Sequence, residues 1–212
     1  HLSIRIMKII CIGRNYSNHA KELNNPVPDK PIFFIKPDTA LLRTNEFYIP
    51  PYSSNIHYEL EFVVKIKKVG KSISKRFASK YYDEVSVGLD LTARDLQQEC
   101  KEKGLPWEIA KGFDSSAPIG KWYKKEALDT FDFYLVKNGK KVQEGNPSQM
   151  LFDIDSIIEY VSKFMTLKKG DLIYTGTPSG VGKIEVGDVY EAFLDTKKTL
   201  SLTIRYAGNE IQ

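Results

Sequence analysis

Three acidic residues stand in apolar surroundings, where a buried charge is costly. Glu59 and Glu61 are two residues apart in the β-like run 58–66, and alternate residues of a strand point to the same face. Asp90 follows a second apolar run, 85–89, where a buried carboxylate would need a partner. Carboxylates that repel each other suit a hard cation, so the pattern predicts a site for Mg²⁺ or Mn²⁺, with Ca²⁺ also allowed. The alternative is two surface glutamates and an aspartate in a turn.

A histidine and a glutamate could supply a base. His19 and Glu22 are three residues apart after the first predicted strand, so one helical turn would put them on the same side. A carboxylate beside an imidazole orients the ring and raises its basicity, as a water-activating base requires. An ordinary His/Glu pair on a surface helix has the same spacing.

Three more polar residues could lie near the predicted metal. Arg94 and Gln97, three apart in the helix predicted after Asp90, could face the metal together, or could belong to a solvated helix face. Lys111 lies in the mostly apolar stretch 107–113. This lysine could bind a carboxylate or an enolate, or its stem could pack on the surface with the ammonium in water.

A glycine-rich loop, 174–182, follows a predicted strand and includes Thr177. It does not match a Walker phosphate-binding loop, because five residues separate Gly176 from Gly182 and Ile184 stands where Ser or Thr should follow the lysine. Its hydroxyls and backbone N–H groups could still bind a carboxylate. A plain turn between two strands is the alternative.

The elements that must position these residues are mostly strands. Alternating or apolar runs predict strands at 8–13, 31–35, 59–66, 85–91, 131–137, 140–144, 171–175, 189–194 and 200–206. Asn138-Gly139 predicts a type I′ hairpin turn. Helices are predicted at 92–103, with Thr92 as N-cap and Gly104 as terminator, and at about 155–165. Strands and helices do not alternate regularly, so we predict an α+β, mostly β domain instead of a doubly wound sheet.

Composition narrows the class of protein. The 212 residues carry a net charge of +4 from 31 basic and 27 acidic residues that are mixed along the chain, which gives no support for nucleic-acid binding. No apolar run is long enough to cross a membrane. Cys11 and Cys100 form no ligand or disulfide pattern, so we predict free thiols and a cytoplasmic protein. Met7 is a plausible native start, with residues 1–6 a possible foreign remnant and 7–212 a single catalytic domain.

Taken together, these segments resemble the fumarylacetoacetate hydrolase superfamily, and within it the short single-domain members that act as acylpyruvases, oxaloacetate decarboxylases or tautomerases. The matching segments run in the family's order from residue 7 to about residue 206. In the first half of the chain they are Gly13-Arg14-Asn15-Tyr16 with His19, Phe34-Ile35-Lys36-Pro37, His57-Tyr58-Glu59-Leu60-Glu61 and Asp90-Leu91-Thr92-Ala93-Arg94-Asp95. After these come Lys103-Gly104-Leu105-Pro106-Trp107 with Lys111, and Thr175-Gly176-Thr177-Pro178-Ser179-Gly180-Val181-Gly182. Any one of them is a weak signal, whereas the ordered set is highly specific.

The resemblance implies the family's mixed β-sandwich roll, a homodimer and a small anionic 2-oxo acid as substrate. It implies a Mg²⁺ or Mn²⁺ site made by three carboxylates, a catalytic pair on a segment that closes over bound ligand, and a lysine near the substrate. By this resemblance, the metal ligands are Glu59, Glu61 and Asp90, and the catalytic pair is His19 and Glu22. The lysine near the substrate is Lys111, and further ligand contacts are Arg94, Gln97 and Thr177. We expect the closing segment to span residues 15–29.

These residues suit cleavage of the C3–C4 bond in a 2-oxo acid with a carbonyl at C4. The metal would act as a Lewis acid and stabilise a pyruvate enolate, which forms in both acylpyruvate hydrolysis and oxaloacetate decarboxylation. Proton transfer at C3 would instead make the protein a tautomerase, or an isomerase of the 2-hydroxyhepta-2,4-diene-1,7-dioate type. A non-catalytic, metal-dependent binding module is the alternative from another class, but such a module does not need a base beside a buried cation.

Overall fold

The fold, described by a computed structural model over residues 7–16 and 27–207, is built mainly from strands. In chain order the strands are β1 (Ile9–Gly13), β2 (Ile32–Lys36), β3 (Leu41–Leu42), β4 (Glu46–Ile49), β5 (Ile56–Tyr58), β6 (Leu60–Ile66), β7 (Tyr82–Leu89), β8 (Thr92–Ala93), β9 (Ala117–Pro118), β10 (Tyr123–Lys124), β11 (Phe133–Lys137), β12 (Lys140–Gly145), β13 (Leu172–Tyr174), β14 (Gly182–Lys183), β15 (Val189–Leu194) and β16 (Lys197–Tyr206). The α-helices are α1 (Lys75–Ala78), α2 (Arg94–Lys103), α3 (Glu108–Lys111) and α4 (Ile154–Phe164), and 3₁₀ turns cover Asp38–Ala40, Ser79–Tyr81, Lys125–Ala127 and Pro147–Gln149.

Two larger sheets carry most of these strands. One sheet has the order β10-β7-β6-β13-β1-β2, and the other has the order β12-β11-β15-β16-β4. The pairs β1–β13 and β16–β4 are parallel, whereas the other neighbours in these two sheets are antiparallel. The ring of Phe62 on β6 lies 6.1 Å from that of Phe133 on β11, so the two sheets share one core. The predicted mostly β, mixed sandwich is confirmed.

Strand β6 runs through the middle of this core. Leu60, Phe62, Val63, Val64 and Ile66 are all buried, so both faces of the strand are covered. Such a continuous apolar run is typical of a strand packed on both sides. A carboxylate placed in this strand is therefore withdrawn from water by the surrounding fold.

The structure contains the predicted hairpin turn and the predicted end of the helix after Asp90. Asn138 and Gly139, with φ angles of 50° and 81°, join β11 to β12 as a type I′ turn requires. Helix α2 ends at Gly104, whose φ of 64° is left-handed, as predicted. Thr92 as N-cap was wrong, because Ala93 precedes the helix and the Thr92 hydroxyl instead donates to the backbone carbonyl of Asp90 at 3.3 Å.

None of the helices in the described ranges combines the length and the apolar character needed to cross a lipid bilayer.

Candidate active site

The register between β6 and β7 brings the three acidic residues together. Leu60 pairs with Leu89 in the antiparallel ladder, and the Asp90 backbone N–H donates to the Glu59 carbonyl at 2.8 Å, which continues the pairing by one step. Glu59 lies at the junction between β5 and β6, and Glu61 lies in β6. Each of the three offers a carboxylate oxygen, and these oxygens lie within 4.8 Å of one another.

This cluster fits a divalent cation electrostatically. Glu59, Glu61 and Asp90 are all buried, so the alternative of surface carboxylates was wrong. Burial raises the pKa of Glu61 well above its ordinary value, and repulsion from Asp90 and Glu59 adds to the shift. Asp90 Oδ1 is contacted by the Lys36 ammonium at 2.8 Å. A cation on these oxygens would relieve the repulsion and satisfy the remaining lone pairs.

Lys111 contacts the cluster directly. Its ammonium lies 2.8 Å from Asp90 Oδ2 and 3.1 Å from Glu59 Oε2, and only 3% of the residue is exposed. The alternative of a surface lysine was therefore wrong. Burial alone lowers the pKa of Lys111, but the carboxylates of Asp90 and Glu59 outweigh it and raise the pKa above its ordinary value. The Lys111 ammonium therefore lies directly against the carboxylates of Asp90 and Glu59.

Arg94 and Gln97 join the same cluster from helix α2. Arg94 Nη2 donates to Glu59 Oε1 at 2.6 Å, and Arg94 Nη1 donates to Gln97 Oε1 at 2.8 Å. Gln97 is buried and Arg94 is half-buried. The predicted one-turn spacing does place the two side chains together, and the alternative of a solvated helix face was wrong.

The residue after Arg94 anchors the start of α2. The Asp95 carboxylate accepts hydrogen bonds from the Ser53 hydroxyl at 2.6 Å and from the backbone N–H groups of Ser54 and Leu96 at 3.1 and 2.9 Å. Burial alone would raise the pKa of Asp95, but these hydrogen bonds outweigh it and lower the pKa. The first turn of the helix, which carries Arg94, is thus tied to the loop before β5.

A third cation, Lys36, was not singled out as a site residue by the sequence. It is fully buried at the end of β2, with Nζ 2.8 Å from Asp90 Oδ1. Its ammonium also donates to the carbonyl of Leu91 at 3.1 Å and to the carbonyl and hydroxyl oxygens of Ser116 at 3.0 Å. The signal that picked out Lys111, a lysine in an apolar stretch, was present for Lys36 as well.

Replacing Lys36 by Met is expected to lower the free energy of unfolding of the metal-free protein by roughly 3 kcal/mol, since the buried carboxylate of Asp90 then keeps Lys111 as its one cationic contact among the described residues. The control is Lys65→Met, which removes a half-buried, partly solvated ion pair with Glu84 (2.9 Å) and should cost about 1 kcal/mol. Urea unfolding with a chelator measures both. Equal losses in the two variants would mean that Lys36 does not stabilise the carboxylate cluster.

The glycine-rich loop touches the cluster through its backbone. The Gly176 N–H donates to Glu61 Oε2 at 2.9 Å. Thr177 is buried and lines the pocket, where its hydroxyl accepts a hydrogen bond from Gln143 Nε2 at 2.9 Å. Gln143 Oε1 in turn accepts from the Leu60 N–H at 2.9 Å, so this one amide ties the loop to β6. Nothing in the sequence around Gln143 indicated this role.

The segment predicted to close over a ligand begins from a fixed anchor. Asn15 is fully buried, and its side-chain amide donates to the carbonyls of Thr175 and Phe152 at 2.8 and 3.0 Å and accepts from the Phe152 N–H at 2.8 Å. Tyr16 is also buried, so the first two residues of the predicted closing segment are packed into the fold. The candidate pair His19 and Glu22 lies outside the described residues.

The cluster lines a pocket together with basic, aromatic and small side chains. Its lining residues are Ile12, Gly13, Arg14, Phe34, Glu59, Glu61, Asp90, Arg94, Gln97, Lys101, Trp107, Lys111 and Thr177. All seven predicted site residues that the structure describes are among them. Such a pocket could hold a small anionic molecule against the carboxylate cluster.

Comparison with known proteins agrees with this arrangement. The family model for the fumarylacetoacetate (FAA) hydrolase C-terminal domain matches residues 8–207. Mitochondrial oxaloacetate tautomerase FAHD1 of Mus musculus is 44% identical over 191 residues, which cover 88% of this chain and 86% of the mouse protein. The mitochondrial oxaloacetate decarboxylase of Dictyostelium discoideum is 41% identical over 206 residues, which cover 93% of this chain and 94% of that protein.

A solved structure is similar over nearly the same length. Fumarylpyruvate hydrolase from Pseudomonas aeruginosa, crystallised in complex with Mn²⁺ and pyruvate, gives a TM-score of 0.89 at 36% identity and covers 96% of this chain and 94% of that one. Its name and those of the two relatives all describe enzymes. A family match over almost all of the chain, together with relatives above 40% identity, shows that this protein is an enzyme of the fumarylacetoacetate hydrolase family.

Proposed function

We propose that the protein binds Mg²⁺ or Mn²⁺ through Glu59, Glu61 and Asp90 and acts on a small 2-oxo acid that has a carbonyl at C4. The observation that carries this proposal is the buried cluster of three carboxylates within 4.8 Å, with the ammonium of Lys111 in contact. Oxygen-only ligands favour these hard cations, and Ca²⁺ is also compatible. The Pseudomonas aeruginosa neighbour, crystallised with Mn²⁺ and pyruvate, supports the same pairing of ligand types.

Charge counting supports an anionic substrate. The three carboxylates are matched in number by three cations that contact Asp90 and Glu59, namely Lys36, Lys111 and Arg94. With all six groups ionised the cluster has no net charge, and a divalent cation would bring it to +2. A 2-oxo acid carries one or two negative charges, so the loaded site would attract it.

The side chains of the pocket have distinct roles in this proposal. When bound, the metal would supply Lewis acidity toward the carboxylate and 2-keto oxygens of the substrate. Arg94 and Gln97 would orient that carboxylate, because the guanidinium and the amide are already linked at 2.8 Å. Lys111 would hold a positive charge beside the C2 oxygen, where negative charge develops as C3 gains the electrons of its broken bond.

We favour cleavage of the C3–C4 bond, with oxaloacetate as the first substrate to test. In decarboxylation the electrons of that bond pass to C3 and CO₂ leaves, so no water is needed. In acylpyruvate hydrolysis His19 and Glu22 would take a proton from water as its oxygen adds to C4, which releases an acid and pyruvate. The relative in Dictyostelium discoideum, called an oxaloacetate decarboxylase, supports the first reaction.

Keto–enol tautomerisation is the second candidate, because the mouse relative is called an oxaloacetate tautomerase. It needs the same charge stabilisation at the C2 oxygen but only a proton transfer at C3. Isomerisation of a 2-hydroxyhepta-2,4-diene-1,7-dioate would also move a proton without cleaving a bond. A non-catalytic binding module has lost its support, since the family is one of enzymes. The homodimer and the cytoplasmic location stay predictions.

The experiment follows oxaloacetate with two readouts. Protein stripped with a chelator is given Mg²⁺, Mn²⁺ or Ca²⁺, and pyruvate release and loss of the ultraviolet absorbance of the enol are recorded in parallel. Metal-dependent pyruvate release above the rate of metal alone supports cleavage, and enol loss without pyruvate supports tautomerisation. Acetylpyruvate and fumarylpyruvate are tested for hydrolysis. If none of the metals supports pyruvate release or enol loss with any of the three compounds, the proposal is overturned.

A further inference from the structure

The pocket contains two cations that its carboxylates do not neutralise. Arg14 and Lys101 line it together with Glu59 and Lys111. Lys111 and Arg94 are in ion pairs with the cluster. In the described part of the chain, by contrast, neither Arg14 nor Lys101 forms an ion pair with a carboxylate. The pocket therefore has a second positive region beyond the proposed metal site.

The surroundings of Lys101 show that this positive charge is not balanced locally. Its ammonium lies 5.6 Å from the centre of the Trp107 ring. Lys101 is an exposed residue, but partial withdrawal from water lowers its pKa, and repulsion from Arg14, Arg94 and Lys111 lowers the pKa further, whereas Glu59 acts in the opposite direction. An anion bound between these cations would remove the repulsion.

The backbone holds Arg14 in an uncommon conformation. Its φ of 57° lies in the left-handed region, which non-glycine residues with long side chains seldom adopt. The next residue, Asn15, is fully buried and bonded to Thr175 and Phe152, and a Cβ on Gly176 would come within 2.7 Å of the Asn15 Cβ. The turn is therefore fixed on one side, so Arg14 is presented to the pocket by a rigid backbone.

We propose that Arg14 and Lys101 form a distal anion subsite that binds a second carboxylate of the substrate, on the C4 side. The inference rests on the proposed function, because it assumes that the first carboxylate and the 2-keto group lie at the Glu59 end of the pocket. An arginine and a lysine together suit a carboxylate, since the guanidinium can bind both oxygens and the ammonium adds a point charge. The protein would then prefer 2-oxo dicarboxylates to acylpyruvates with a neutral tail.

Two substrates that differ at the distal end test the subsite. Fumarylpyruvate carries a distal carboxylate and acetylpyruvate ends in a methyl group, and hydrolysis of either releases pyruvate. In Arg14→Gln and in Lys101→Gln we expect kcat/KM for fumarylpyruvate to fall by about 10- to 100-fold, the usual effect of losing a charged hydrogen bond. We expect kcat/KM for acetylpyruvate to stay within about 3-fold, and Arg14→Lys to recover part of the loss.

Two controls separate recognition from a general change in charge or fold. Lys103→Gln removes a positive charge two residues away, where the lysine is exposed and paired with Glu99 at 2.7 Å, and it should leave both substrates unaffected. Oxalate has no distal carboxylate, so its inhibition constant should be the same in wild type and in both pocket variants. If kcat/KM of the Arg14 and Lys101 variants falls equally for both substrates, or falls for neither, the subsite is overturned.

Failure of the proposed reaction would give a different result. If wild-type protein with Mg²⁺ or Mn²⁺ cleaves neither compound, the assignment of hydrolysis is wrong, and both compounds are then stable enough for titration calorimetry. The subsite still predicts that Arg14→Gln weakens binding of fumarylpyruvate by about 10-fold or more while leaving acetylpyruvate unchanged. Equal affinities in wild type and variant would overturn it.

Discussion

Replacing Glu59 by Ala is expected to abolish metal-dependent turnover and to weaken binding of Mg²⁺ or Mn²⁺ by more than about 100-fold, since loss of an outer-shell partner alone already costs 10- to 100-fold. Glu59 is one of the three carboxylates of the cluster. It also pairs with Arg94 at 2.6 Å and with Lys111 at 3.1 Å, so its removal leaves two cations facing a smaller negative charge. Calorimetric titration with metal and an assay of product formation measure the two effects.

The comparison needs a carboxylate whose loss should not matter. Glu84 on β7 belongs to the same sheet but pairs with Lys65, and neither residue lines the pocket, so Glu84→Ala should keep wild-type metal affinity and turnover. Glu59→Gln keeps the size of the side chain and removes only its charge, and it should lose as much activity as Glu59→Ala. Wild-type Mg²⁺-dependent turnover in folded Glu59→Ala protein would show that the metal assignment is wrong.

The carboxylate cluster could be predicted because each of its residues stands out from its immediate neighbours in the sequence. Glu59 and Glu61 interrupt an apolar run, and Asp90 ends another, so each violates the local pattern of its own strand. Strands β6 and β7 form an antiparallel pair in which Leu60 lies opposite Leu89. This register is enough to bring the three carboxylates together. A costly charge in an apolar strand is a signal that does not depend on knowing the fold.

The residues that hold the site in place could not be anticipated in this way. The Gln143 side chain accepts a hydrogen bond from Leu60, 83 positions away, and the Asn15 side chain donates one to Thr175, 160 positions away. Their contacts depend on how the strands are ordered in the sheets, which no local pattern specifies. Polar residues of this kind stabilise a site by hydrogen bonds across the fold, and their sequence neighbours do not distinguish them from surface residues.

The error at Thr92 has a similar cause. A threonine before a polar helix is a good N-cap by local preference. Here the residue belongs to β8, where its hydroxyl donates to the Asp90 carbonyl and accepts from the Lys111 ammonium. Tertiary contacts at the site therefore override the capping preference, and the first turn of α2 is held instead by hydrogen bonds to Asp95.

Replacing His19 by Ala is expected to lower hydrolysis of acetylpyruvate by about 10²- to 10⁴-fold, the usual contribution of a general base. Metal affinity should not change, because the predicted ligands are Glu59, Glu61 and Asp90. Decarboxylation of oxaloacetate should fall much less, since loss of CO₂ needs no activated water. Pyruvate release from the two substrates, measured on the same protein preparation, gives the ratio directly.

The companion variant Glu22→Gln tests whether the two residues act together. If Glu22 works only by orienting and polarising His19, the double variant should lose no more activity than His19→Ala alone, because residues that act as a unit are strongly non-additive. Additive losses would mean that Glu22 acts independently of His19. A wild-type rate of acetylpyruvate cleavage in His19→Ala would mean that the pair is an ordinary surface pair, and that attack by water, if it occurs, is promoted from another part of the pocket.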